Sequence, residues 1–244
     1  MNLTPELQAF VDLWRNEDAY NNDFHARCTK MVDESKLLKE HRDWIEANQF
    51  GFGDRAFHCI WLALMAQMPP DFSFLEIGVF KGQVLSLVGL IAKTMEKKAH
   101  IYGVTTLTNT EDVRCRYPAG DYKGWINQIH EHFQVQKPIL IVGKSSNPTV
   151  VEQCTGFAPY DLVYVDGSHD YPDVVFDIKT YAPMTKAGGF LVMDDASINR
   201  LNVGSCWSGL EDVAQAVKDH LDNDPRFKFL LACGHLNLFQ RVKD

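Results

Sequence analysis

Three acids that close two short apolar runs carry the strongest chemical signal in the chain. Asp161-Leu162-Val163-Tyr164-Val165-Asp166-Gly167-Ser168-His169 places a carboxylate after a run that reads as a buried strand, with a histidine one turn later. Twenty-eight residues after Asp166, the run Phe190-Leu191-Val192-Met193 ends in Asp194-Asp195. If the runs are neighbouring parallel strands they lie about 4.8 Å apart, which gathers Asp166, Asp194 and Asp195 at one rim. Carboxylates so placed repel one another unless a cation sits among them, and their oxygens suit a hard divalent ion such as Mg2+. A plainer reading stays open, because aspartates at strand ends also cap the following helix or bind loop amides; Asp170 and Asp173 read in that way. His130 and His132 stand two apart in a helical stretch, a poor spacing for a ligand pair, and read as part of a solvated helix surface.

A second pattern is Phe74-Leu75-Glu76-Ile77-Gly78-Val79-Phe80-Lys81-Gly82, a strand ending in an acid and two glycines four apart. Gly78 would let the backbone approach a bound ligand, and Gly82 would open a helix whose free N–H groups favour an anion or carboxylate. The spacing E-x-G-x-x-x-G differs from the G-x-G-x-x-G of dinucleotide binders. Glycines between a strand and a helix are also often only a turn.

Positioning these groups requires an α/β framework, and the rhythm of the chain predicts one. Residues 1–70 read as a helical cap. Thr4 caps a first helix with Pro5 in its first turn and Leu7, Phe10, Val11 and Trp14 on one face. A second helical stretch runs from Asp33 to Ala47, and a third from Asp54 until Pro69-Pro70 ends it. From residue 71 to 244, apolar runs alternate with helical stretches. Strands are predicted at 74–77, 100–105, 139–143, 162–166, 190–193, 227–232 and 236–241. Strands separated by helices of ten or more residues imply βαβ units and a mainly parallel sheet with helices on both faces. Only Cys233-Gly234-His235 separates the last two, which allows a hairpin and predicts a closing antiparallel strand. The polar connection 107–121 is long for an α/β protein and reads as a lid or substrate loop, or as a decorated surface loop.

Composition narrows the partners. The 244 residues carry a net charge of −8, with no basic surplus to replace the counterions of nucleic acid or an anionic membrane. The surplus is local: residues 161–224 hold twelve acids and four bases, and the rest of the chain is balanced. Cys28, Cys59, Cys115, Cys154, Cys206 and Cys233 are widely scattered and read as free buried thiols. No secretory signal or membrane-length apolar run is visible, so a soluble, cytoplasmic protein is expected.

At the FLEIGVFKG turn, YDLVYVDGSHDY, KAGGFLVMDD and the closing GHLNLFQR, the chain resembles class I S-adenosylmethionine-dependent methyltransferases over about residues 50–244. Among these it is most similar to the macrocin/mycinamicin sugar O-methyltransferases and the cephalosporin-hydroxylase-like proteins near them. The resemblance implies a Rossmann-like seven-stranded sheet and an S-adenosylmethionine site over its first strands. There Gly78 and Gly82 would line the methionine part, Glu76 would support the turn, and Ser145 would lie near the adenine. It also implies a metal held by Asp166, Asp194 and Asp195, with His169 as general base. One departure stands out: the family's second strand normally ends in an acid that holds the ribose, and Thr105-Thr106 stand here instead. A threonine bonds a ribose more weakly than a carboxylate does. The implied reaction is methyl transfer to a hydroxyl of a small molecule, a sugar or glycosylated natural product, with the metal lowering the hydroxyl pKa. A metal-dependent hydroxylase-like enzyme and a catalytically silent binding protein on the same scaffold are the alternatives. Exposed aromatics among residues 1–60 would suit a homo-oligomer contact, although core packing explains them equally.

Overall fold

The computed structural model describes residues 2–16, 23–108, 118–200 and 207–243. Cys115, Cys206 and the loop residues Arg114, Arg116 and Tyr117 lie outside the described residues. Helix α1 (Pro5–Asn16) starts where Thr4 Oγ1 accepts the Leu7 N–H. The single helical stretch expected over 33–47 is instead broken by Ser35. Its side chain accepts the Leu38 N–H and so separates α2 (Asp23–Glu34) from α3 (Lys36–Asn48). In α2 only Phe24, Cys28 and Val32 are buried apolar positions, a stripe too narrow to stand out in the sequence. Helix α4 (Phe57–Gln67) is apolar nearly all round, as befits a helix covered on most sides.

The sheet elements follow the predicted order. They are β1 (Asp71–Ile77), α5 (Gln83–Thr94), β2 (Lys98–Thr105), α6 (Tyr122–His132), β3 (Ile139–Val142), α7 (Pro148–Phe157) and β4 (Tyr160–Val165). Then come α8 (Tyr171–Tyr181), β5 (Thr185–Met193), α9 (Glu211–His220), β6 (Phe227–Cys233) and β7 (Leu236–Arg241). The strand order is β3-β2-β1-β4-β5-β7-β6, with β7 antiparallel to both neighbours, as expected for the last strand.

Alternation along the strands splits the core into two layers. Phe72, Phe74, Tyr164 and Val192 face the layer that holds α1, α2, α4 and α5. Leu75, Ile77, Val163 and Leu191 face the layer of α7, α8 and α9. Trp61 of α4 packs edge-on against Phe74 and Tyr164, locking the N-terminal helices onto the centre of the sheet. Truncating such a side chain typically costs about 3–5 kcal/mol. The order in which successive strands are added reverses between the parallel neighbours β1 and β4, and ligands of open α/β sheets bind beyond the carboxyl ends of the strands at such a switch point. Cys28, Cys59, Cys154 and Cys233 are buried, and none of the four is in a disulfide.

Candidate active site

Backbone hydrogen bonds carry the strand ladders one step past β1, β4 and β5, and this fixes the rim. Asp166 N donates to Ile77 O at 2.8 Å, Asp194 N to Val165 O at 2.9 Å, and Gly78 N to Val104 O at 3.0 Å. Asp166 therefore lies between Gly78 and Asp194. Gly78 has φ +99°, and a Cβ there would lie 1.7 Å from Asp166 O. Its close approach is to the exit of β4, and the absence of a side chain is what lets the two loops meet.

Asp166 and Asp194 are hydrogen-bonded to each other, and Tyr164 Oη donates to Asp166 Oδ2 at 3.1 Å. Burial, followed by the charge of Asp194 and then of Asp195 and Glu76, pushes Asp166 well above the usual carboxylate range. Burial also raises Asp194, against the pull of His235. Carboxylates in such contact do not both ionise alone; a proton or a cation must stand between them. Asp195 behaves differently. Burial works to raise it, but hydrogen bonds from His169 and Trp207 and the nearby His235 outweigh this and hold it below its ordinary value. His169 Nε2 lies 3.2 Å from Asp195 Oδ2, and Trp207 Nε1 donates to Asp195 Oδ1 at 2.8 Å. Asp195 itself takes a positive φ of 50°, in a turn where Leu210 N donates to its carbonyl. Asp166, Gly167, His169, Met193 and Asp194 line a small cavity at this point.

Glu76, at the end of β1, is buried. One carboxylate oxygen accepts the Leu85 N–H in the first turn of α5, while Oε2 has no hydrogen-bond partner. Burial, reinforced by Asp194, holds its pKa well above normal. The structure thus brings Glu76, Asp166, Asp194, Asp195 and His169 into one neighbourhood. The remaining sequence candidates lie along the rim over β1, β2 and β3. Gly82 is the N-cap of α5 at φ +88°, with no side-chain cap. Thr105 is buried, its hydroxyl donating to Val79 O and accepting from Leu107 N, both at 3.1 Å. Ser145 follows β3, where its carbonyl accepts from Tyr181 Oη at 2.6 Å.

Sequence reasoning missed His235. It sits in the turn between β6 and β7, buried, with Nε2 3.3 Å from Asp194 Oδ1. Its carbonyl accepts the Ala196 N–H. Asp194, Asp195 and His235 each present a ligand atom, all within 4.8 Å of one another. Knowing that β7 lies beside β5 with Met193 opposite Asn237 would have placed residue 235 against Asp195, but no local pattern states that register. The reading of His130 as solvated is corrected as well. It is fully buried, donating through Nδ1 to Ile126 O at 2.6 Å, because the face of α6 that carries it packs toward Gly82.

The comparisons with known proteins agree with this geometry. A family profile described as "Methyltransferase domain" matches residues 75–196, half of the chain. An uncharacterised protein of Acanthamoeba polyphaga mimivirus is 26% identical over 173 residues, covering 68% of this chain and 71% of the viral protein. The Podospora anserina methyltransferase PaMTH1, solved with S-adenosylhomocysteine, superposes with a TM-score of 0.60 at 19% identity, over 92% of this chain and 97% of that one. CalS11, a TDP-rhamnose 3'-O-methyltransferase of calicheamicin biosynthesis, superposes with a TM-score of 0.54 at 16% identity, over 100% and 97% of the two chains. No helix among the described residues is long and apolar enough to cross a membrane. With half its length matched to that profile, on a sheet of this order, the chain belongs to the methyltransferase domain family and has the class I S-adenosylmethionine-dependent fold.

Proposed function

We propose that the protein is an S-adenosylmethionine-dependent, divalent-metal-assisted O-methyltransferase. Its acceptor is a small-molecule hydroxyl, on a sugar or glycosylated natural product, as in the macrocin/mycinamicin and cephalosporin-hydroxylase-like group. The observation that carries this reading is the meeting of Asp166, Asp194 and Asp195 with His169 at one rim of a methyltransferase fold. The likeness to a sugar O-methyltransferase supports the acceptor class.

The donor set fits a divalent cation. Asp194 Oδ1 and Glu76 Oε2 are buried without hydrogen-bond partners, and the Asp166–Asp194 contact calls for positive charge. The turn after β1 fits the cofactor. The start of α5 at Gly82 has no side-chain cap and suits a carboxylate, Glu76 braces it through Leu85 N, and Gly78 brings the exits of β1 and β4 together. Thr105 contributes by tying the turn at the end of β2, and Ser145 by its place beyond β3. Cofactor-side and metal-side residues thus divide along the strand order, over β3-β2-β1 and over β4-β5.

When bound, the cofactor supplies an electrophilic methyl group and the metal acidifies the acceptor hydroxyl. Asp166, Asp194 and Asp195 would hold the metal, and a vicinal diol is the acceptor chemistry that would suit it. Asp195 orients the imidazole of His169 through Nε2, and His169 is the group that would take the hydroxyl proton. The remaining contribution is to hold donor and acceptor in attack geometry. The loop joining α3 to α4 borders the rim beside His235, since a Cβ on Gly53 would lie 2.9 Å from His235 Cε1.

The test is incubation of candidate glycosides with the protein, labelled cofactor and a divalent salt. A mass gain of one methylene that EDTA abolishes supports the reading. Calorimetry showing no binding of S-adenosylhomocysteine at millimolar concentration would overturn it, and full activity in EDTA would remove the metal.

A further inference from the structure

His235 lies outside the all-oxygen donor set, yet its placement is that of a ligand. Its Nε2 stands 3.3 Å from Asp194 Oδ1, while that oxygen has no aligned hydrogen-bond donor. An ion pair held by hydrogen bonding would align an N–H with the oxygen. Two atoms that share a metal at bonds of about 2.1 Å instead stand roughly 3 Å apart, with their lone pairs turned to a common point. The imidazole is buried, so it does not exchange this environment for water. Its backbone is fixed, the carbonyl accepting the Ala196 N–H, and the ring lies close to Gly53, where a Cβ would stand 2.9 Å from His235 Cε1. A second buried group, Glu76 Oε2, has no partner and is close enough to feel the charge of Asp194. Asp194, which carries one of these unpartnered atoms, converges with Asp195 and His235.

We propose that His235 is a nitrogen ligand of the metal and that it gives the site a preference for a first-row transition-metal ion over Mg2+. The inference rests on the metal-assisted reading above and sharpens it. Mg2+ takes oxygen ligands and keeps much of its water, whereas imidazole suits Mn2+, Fe2+, Co2+ and Zn2+ increasingly well. One imidazole beside carboxylates leaves Mg2+ with a ligand it binds poorly and leaves the transition metals with one they bind well. The donors come from two places in the chain, the end of β5 and the hairpin between β6 and β7, so metal binding would also pin the C-terminal hairpin to the catalytic rim.

The experiment uses the full chain, stripped with chelator and titrated with MnCl2 or MgCl2 by calorimetry, in parallel with pulsed electron paramagnetic resonance of the Mn2+-loaded protein. Mn2+ is expected to bind about tenfold or more tightly than Mg2+ and to show coupling to one imidazole 14N nucleus. In His235→Gln the 14N coupling disappears and the Mn2+ affinity falls by at least about tenfold, while the Mg2+ affinity moves less than about threefold. Thermal unfolding of the variant checks that it is folded, and the coupling in the unmodified protein needs no variant at all. Binding of both ions with equal affinity and no 14N coupling overturns the nitrogen ligand and leaves the methyltransferase reading standing. Failure of both ions to bind removes the metal from this inference and from the proposed function alike. Tight Mn2+ binding with 14N coupling in a protein that does not bind S-adenosylhomocysteine sustains this inference and sinks only the methyl-transfer reading.

Discussion

His169 Nε2 stands 3.2 Å from Asp195 Oδ2, with both side chains largely withdrawn from solvent where β4 and β5 end. The pair joins two roles in one contact, because the carboxylate that orients the base also faces the acidic cluster. His169→Ala therefore lowers kcat by about 10²- to 10⁴-fold, the usual contribution of a positioned general base. The dissociation constant of S-adenosylhomocysteine, read by calorimetry, stays within about twofold in the sense of an interaction made only at the reacting centre. Asp195→Asn gives the same loss of turnover together with weaker metal binding. A variant lacking His169 with unchanged kcat would move the proton transfer to another group.

Gly78→Ala tests the meeting of the β1 and β4 loops. The new methyl group would stand 1.7 Å from Asp166 O, on a backbone at φ +99° that alanine adopts only with strain. Backbone must move on both sides, so the substitution lowers stability by about 3 kcal/mol or more, seen as a fall in Tm or in the urea midpoint. Because the displaced carbonyl belongs to Asp166, metal affinity falls with it. A variant as stable as the unmodified chain would show that the two loops separate easily.

The parts of this site that could be read in the sequence are those written in consecutive residues. Asp166 and Asp194 each close an apolar run, and strand–helix alternation makes those runs neighbours, which the ladder Val165↔Met193 bears out. His235 could not be read that way. It reaches Asp194 only because β7 inserts between β5 and β6 in antiparallel register, a fact of tertiary pairing. Helix α2 was hidden for a related reason: three buried residues spaced by four make a weak periodic signal in a charged segment. His130 lies among polar neighbours in sequence and is nonetheless buried, since burial is decided by what packs on α6.

Thr105→Val separates two roles for the residue that stands where the family carries an acid. Its hydroxyl serves both Val79 O and Leu107 N, so removing it strands a buried acceptor and a part-buried donor. An unmade pair of this kind costs about 1–3 kcal/mol. The expected result is a lower Tm with a weakening of S-adenosylhomocysteine binding of less than about fivefold, the turn being loosened and no direct bond lost. An unchanged Tm with a large loss of affinity would make Thr105 a direct partner of the ribose.

His41 and His58 give the N-terminal helices a pH dependence. Ser86 Oγ donates to Gln83 O, so it accepts from His41 Nε2–H; His41 Nδ1 then accepts from His58 Nε2–H, both histidine contacts being 3.0 Å. That tautomer chain requires two neutral rings and leaves His58 Nδ1 buried without a partner. Burial, helped by Arg42, His130 and His132, pushes His41 down to about 3, and burial with His41 pushes His58 well below its ordinary value. Both folded values lie below the unfolded value of 6.5, so the stabilisation is complete above pH 6.5 and is lost as pH falls toward 3. Each group lost in this way removes about 1.4 kcal/mol per pH unit within the window. Buried acids such as Glu76 and Asp166 titrate with the opposite sign, so the total slope mixes the two. The difference between the unmodified chain and His58→Gln, taken from urea unfolding at pH 7, 5.5 and 4.5, isolates the histidine. The stability gap between the two chains should shift in favour of the variant by about 1.4 kcal/mol for each pH unit below 6.5. A gap independent of pH would mean that His58 titrates alike in the folded and unfolded chains, against its burial as a neutral ring.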